Sequence, residues 1–201
     1  MMIEPVRFSY TPDITVINQR QFSIHNDIYK GYVNNTNIIG EELANASPDL
    51  RAGANTTNGL YRRLKRGESF ALNGVILHEL YFRNLGGVLR EPGENVRRLI
   101  EKYFNTYENW VEDFVSTAKA SRGWAILCYE QRTNSLRNIS LDTHDEGMVV
   151  LMLPLIVLDV YEHAYFIQYE NQKEKYIRAF MENIHWEIVN QRMKLWGLEP
   201  K

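Results

Sequence analysis

The chain of 201 residues is short of several things, and each shortage removes a class of function. It has a single cysteine, Cys128, so neither an internal disulfide nor a cysteine-based zinc site can form, and a reducing, cytoplasmic setting is expected. It lacks a basic excess: 23 Lys and Arg against 25 Asp and Glu leave a formal charge of −2, a poor match to a phosphate backbone. No nucleic-acid partner is expected. It lacks a long apolar run as well. The longest, Met148 to Leu158, is about half of the roughly 20 residues a membrane helix needs and contains Pro154, so no membrane partner is expected. MMIEPVRFSY has no basic stretch leading into an apolar one, and no secretory leader is read there. Internal repeats and low-complexity tracts are missing too.

What the chain does have is a core: 44% of its residues are hydrophobic and 24% charged, near the globular average. Residues 1 to 20, with Pro5 and Pro12, read as an extended lead-in. Phe22, His25, Ile28, Tyr29, Tyr32 and Val33 recur at helical spacing and predict a helix from about Phe22 to Ile39. A second helix is expected after the polar stretch Asn45 to Gly59, and its Ser69 to Asn84 portion is apolar almost all round, as a buried helix would be. Gly86 and Gly87 stop it. The Gly and Pro of GGVLREPGEN mark a boundary near 87 to 94, dividing the chain into residues 1–88 and 89–201. Two helices (Glu94 to Thr106, Tyr107 to Ala120) then precede three β-rich runs, GWAILCYEQ, SLRNISLD and MLPLIVLDVY, which read as a small antiparallel sheet. Helical spacing resumes from Glu162 to Trp196, with a break around Asn183 to Glu187.

The chemistry centres on histidine. Of five, His25, His78, His144 and His163 fall in apolar segments or at element ends, whereas His185 lies in an ordinary C-terminal helix. Asp159 closes an apolar strand four residues before His163, where an ionised carboxylate without a partner would be costly. A metal would supply that partner. Three imidazoles and one carboxylate suit iron, manganese or zinc better than calcium or magnesium. From spacing alone, the alternative that each histidine is a hydrogen-bonded core residue stays open.

The segment LPLIVLDVYEHAYFIQYENQKEKYIRAF, Leu153 to Phe180, resembles the signature of the iron/manganese superoxide dismutase family, whose D-x-W-E-H-A-Y block supplies two metal ligands. YVNN at Tyr32 to Asn35, the helix around His78 and the Gly123–Trp124 pair extend the resemblance from Phe22 to Trp186. It implies an α+β fold, with an N-terminal helical hairpin and a C-terminal α/β domain carrying a three-stranded antiparallel sheet. It further implies one Fe or Mn ion per subunit held by His25, His78, Asp159 and His163, with superoxide as substrate. By the same resemblance Tyr32 is the gateway tyrosine, Trp124 a wall of the site, and Glu162 the residue that reaches across a homodimer, alone or within a tetramer. The alternative is a non-catalytic metal-binding scaffold of the same fold.

The chain departs from the family pattern in several places. His25 and Tyr32 are seven residues apart where eight are usual, yet seven steps at about 100° return to within about 20° of the same face. Leu77, Phe82, Tyr161 and Phe166 replace the usual Asn, Trp, Trp and Tyr, and the histidine that the last would meet across the dimer has no counterpart beyond Ile28 or Tyr29. Gly74 and His144 occupy the two positions where family members place the glutamine that favours iron or manganese.

Overall fold

The computed structural model describes residues 2–198, and none of their helices is long and apolar enough to cross a membrane. Two long helices, α1 (Gln19–Ala44) and α3 (Leu60–Arg83), pack against each other as a hairpin, with the short α2 (Pro48–Ala52) in the connection. Asn18 starts α1 earlier than the apolar pattern alone suggests, because its side chain accepts the free Gln21 N–H as an N-cap. In α3 the expectation of an all-round buried stretch is corrected. Leu72 and Ile76 are 40% and 45% exposed, so only the side carrying Ala71, Gly74, Val75, Leu77, His78, Tyr81 and Phe82 faces inward.

After the loop 84–93, α4 (Glu94–Phe104) and α5 (Tyr107–Ala120) lead to the sheet of β1 (Trp124–Glu130), β2 (Ser135–Leu141) and β3 (Met152–Asp159). The order is β2-β1-β3 and both pairings are antiparallel, as the sequence led one to expect. Pro154 sits in the edge strand β3 beside a register shift at Leu127/Cys128, where a missing N–H is tolerated. The β1–β3 register sets Trp124 opposite Asp159.

The C-terminal helical stretch is three helices, α6 (Glu162–Tyr169), α7 (Lys173–Met181) and α8 (Trp186–Leu195). The break near Asn183 is present; the one after Tyr169, where Glu170 has φ of 52°, carries no glycine or proline to announce it. His185 does not lie within a helix as expected but is the N-cap of α8.

Two seams join the hairpin to the rest. At the end of α3, the Asn84 side-chain oxygen accepts from Val157 N of β3 at 3.0 Å and from Arg192 Nη1 of α8 at 2.8 Å. Arg192 also donates to Leu155 O (2.7 Å) and Leu80 O (2.9 Å). At the start of α1, the buried Gln21 side chain meets the backbone of α6. The extended lead-in is fastened along its length: Ile3 exchanges hydrogen bonds with the Asn37 side chain, Val6 N donates to Tyr29 Oη, and Asn183 clasps Thr15 N and Asp13 O.

Candidate metal centre

The two seams bring four elements to one point. His25 comes from α1, His78 from α3, Asp159 from the end of β3 and His163 from the first turn of α6. Each offers one ligand atom, and the four atoms lie within 4.8 Å of one another. Asp159 Oδ2 is the hub: His25 Nε2 is 3.1 Å away, His163 Nε2 3.2 Å and His78 Nε2 3.6 Å. Its other oxygen accepts from Tyr161 N at 2.9 Å. Its backbone carbonyl accepts from Tyr176 Oη at 2.8 Å, and since that uses the phenol's one proton, Tyr81 is the donor in the 3.0 Å Tyr81–Tyr176 contact.

The protonation states follow from burial and partners. Burial alone would raise the Asp159 carboxyl, but the charge and hydrogen bonds of His163 and His25 hold it well below the usual range, so it is a carboxylate. Burial pushes His78 down to about 3, helped by repulsion from His25, and it is neutral near pH 7. Burial likewise lowers His25 against the pull of Asp159. His163 is the exception: burial lowers it, but Asp159 outweighs that and raises it.

His78 tests whether a metal fits. Its Nδ1 lies 2.6 Å from Gly74 O, which only accepts, so the single proton of the neutral ring is there. Nε2 then carries a lone pair, buried without a hydrogen-bond partner and facing the Asp159 carboxylate. Lone pair against anion is repulsive unless a cation lies between them. Three imidazole nitrogens around one carboxylate oxygen are the donor set of a transition metal.

The remaining expected residues surround this cage. Tyr32 lies 5.2 Å from His78 and 4.7 Å from His144, ring centre to ring centre, so the seven-residue spacing still sets it on the His25 face of a continuous α1. Burial, then the Asp159 charge, raises its phenol, which stays protonated. Gly74 makes room for it, since a Cβ there would sit 2.7 Å from the Tyr32 ring. His144, in the loop between β2 and β3, is fully buried and accepts from Trp124 Nε1 at 2.9 Å through Nδ1. An indole nitrogen only donates, so the His144 proton is on Nε2, which is buried with no partner among the described residues. Burial pushes its pKa down to about 4. Tyr161 stacks on His163 at 5.2 Å. Glu162, at the first position of α6, is exposed. Tyr29 turns inward to donate to Glu79 at 2.8 Å and does not face outward from the hairpin. Sequence reasoning missed Gln21, Tyr81 and Tyr176, whose partners lie too far along the chain to leave a local pattern.

Comparison with known proteins agrees with this geometry. The family model described as "Iron/manganese superoxide dismutases, C-terminal domain" matches residues 92–192. A "Superoxide dismutase [Fe]" of Aquifex pyrophilus is 38% identical over 194 residues, covering 96% of this chain and 91% of the relative. A "Superoxide dismutase [Mn] 1" of Halobacterium salinarum is 32% identical over 196 residues, covering 96% and 94%. Relatives named for iron and for manganese thus match along nearly the whole length, and the chain belongs to the iron/manganese superoxide dismutase family.

Proposed function

We propose that the protein is a superoxide dismutase whose single Fe or Mn ion is held by His25, His78, Asp159 and His163. The observation that carries this reading is the buried, unpartnered Nε2 of His78 aimed at Asp159, a pairing that a cation between them satisfies. A non-catalytic metal-binding scaffold would keep the same four residues, and the names of the relatives favour the enzyme over it. The chemistry the ion supplies when bound is a one-electron couple, through which one superoxide is oxidised to dioxygen and a second, with two protons, is reduced to hydrogen peroxide.

The chain's own residues prepare the surroundings for that couple. Asp159 brings the negative charge that favours a higher oxidation state. Trp124 fixes the His144 tautomer, so that Nε2–H is the donor beside the cage, in the place of the glutamine usual in the family. Tyr32 keeps a protonated phenol on a ring that lies against His78 and His144. Tyr32, His144 and Trp124 are therefore the residues we assign to proton handling.

The same reading takes residues 1–88 as the hairpin domain and 89–201 as the α/β domain, with a cytoplasmic location supported by the one buried cysteine. It also takes the assembly as a homodimer, or a tetramer of such dimers. His163 is 24% exposed at its side chain, and Ile24, Phe166 and Ile167 are exposed on the α1 and α6 surfaces that flank it. A partner's Glu162 arriving there would both cover this face and orient the His163 ring.

The test loads purified protein separately with iron and with manganese, then measures bound metal and superoxide consumption. Wild type should bind one ion per chain and be active with at least one metal. Asp159→Ala, stripped of the only anion in the cage, should lose its metal and its activity together. Full occupancy in that variant overturns the ligand assignment, and a loaded but inactive wild type overturns the function.

A further inference from the structure

Resting on the metal site proposed above, we infer that Gln21 is a positioning residue for His163, setting the ligand's place through the backbone of α6. Its side chain is fully buried. Its Nε2 donates to His163 O at 2.6 Å and its Oε1 accepts from Ile167 N at 3.1 Å. Those two backbone groups are the pair that a regular α-helix joins to each other, so the amide docks directly on the rung beneath the ligand.

That rung needs outside support. The helix α6 has eight residues, and its N-cap Tyr161 makes no side-chain cap. Helices this short are marginal by themselves, so the docking surface decides where α6 lies. Gln21 is also one turn before His25, and residues four apart share a helix face. The face of α1 that presents His25 to Asp159 is therefore the face that grips α6. His25 and His163, whose rings are 5.0 Å apart, are set against each other by one side chain.

A buried amide specifies this register where an apolar residue would not. Leaving either end without a partner is costly, and both ends are met only when α1 and α6 align at this step. A leucine or methionine would fill the same space in several alignments. Gln168 makes the reverse contact from α6, its Oε1 accepting Asn18 N, but at an exposed position beyond the ligand's turn.

The experiment compares iron- or manganese-loaded wild type with Gln21→Met, Gln21→Glu and Gln168→Ala. Electron paramagnetic resonance and visible absorption of the bound ion report ligand geometry; chelator-driven release reports retention. Gln21→Met should shift the spectrum and release metal about tenfold faster. Gln21→Glu, which sets a carboxylate oxygen against the His163 carbonyl, should do the same or worse, and it carries the test if the Met variant does not fold. Gln168→Ala, which loosens the same contact away from the ligand, should leave the spectrum unchanged. Gln21 variants with wild-type spectra and release rates overturn the inference while leaving the metal site intact. Wild type that binds neither metal would instead sink the proposed function.

Discussion

The two seams that assemble the cage are built on opposite principles. Where α3 meets β3, a charged side chain from a third element does the joining: the Arg192 guanidinium, 6% exposed, bonds Leu80 O, Leu155 O and Asn84, and the ligands it relates, His78 and Asp159, have no exposure. Where α1 meets α6, a neutral amide does the joining, and His163 keeps an exposed edge. The dry seam is complete within one chain. The open seam holds His163 by its backbone and leaves the outer side of the ring exposed. The difference separates a pair of groups enclosed by one chain from a group whose outer edge stays open.

Breaking the dry seam should have the larger effect on stability. Burial lowers the Arg192 pKa to about 10, so the cation carries a desolvation cost, yet hydrogen bonds from a charged donor contribute about 1.5–3 kcal/mol each. Three of them outweigh the cost. Asn84 Oδ1 retains Val157 N and Leu80 O retains Asn84 N when the guanidinium is removed, which limits the damage. Arg192→Met is expected to destabilise the protein by about 3 kcal/mol, or roughly 6–12 °C in Tm for a chain of this size. Arg192→Lys, with a point charge that cannot span three acceptors, should fall between. A Tm within a degree of wild type in both variants would show that the seam is held by packing alone.

Why these seams were invisible in the sequence while the fold was not is a matter of distance along the chain. The hairpin helices announce themselves through Phe22, His25, Tyr29 and Val33 at helical spacing, and the three strands through β-branched runs between polar turns. Both signals are local. Arg192 is 108 residues from Asn84, and Gln21 is 142 from His163, so nothing near either residue marks its partner. The exposed side of α3 was misread for a related reason: Leu72 and Ile76 belong to an apolar stretch by composition, and only the packing against α1 decides which stripe is inside. The break after Tyr169 depends on Glu170 taking a positive φ, which a glycine would have signalled. The cage residues were legible as titratable groups in apolar company; their convergence on Asp159 Oδ2 needed the register of β3.

The open seam is sharpened by Glu162→Ala. A two-fold assembly uses the same contact twice, so one substitution removes two charge-assisted hydrogen bonds from the pair of subunits. Because each stands at a partly exposed rim, their joint loss is expected to cost about 2 kcal/mol, a roughly 30-fold weaker dimer. Metal release should quicken in parallel, since the His163 ring loses its outer support. Sedimentation equilibrium that gives the same dissociation constant for both proteins would place the interface elsewhere.

The smallest effect should separate His144 from His163, beside the open seam, by the sign of their response to acid. His144, buried beside Trp124, has a folded pKa of about 4 against 6.5 for an ordinary histidine, so between those values the unfolded chain binds a proton that the folded one refuses. Its contribution is present above pH 6.5 and is lost as pH falls towards 4. In the metal-free protein the Asp159 carboxylate outweighs burial and raises His163, so there its contribution is present below 6.5 and is lost as pH climbs through its folded value. His144→Gln removes the first dependence and leaves the second, while Gln Oε1 can still accept from Trp124 Nε1. Compared in the same metal state, wild type should lose about 1 kcal/mol more than the variant between pH 6.5 and 5.5, because one full proton of difference is worth about 1.4 kcal/mol per pH unit. Unfolding by urea at each pH measures it. Parallel curves for the two proteins would mean that His144 takes up its proton in the folded state, and with it the Nε2–H donor would no longer belong to a neutral ring.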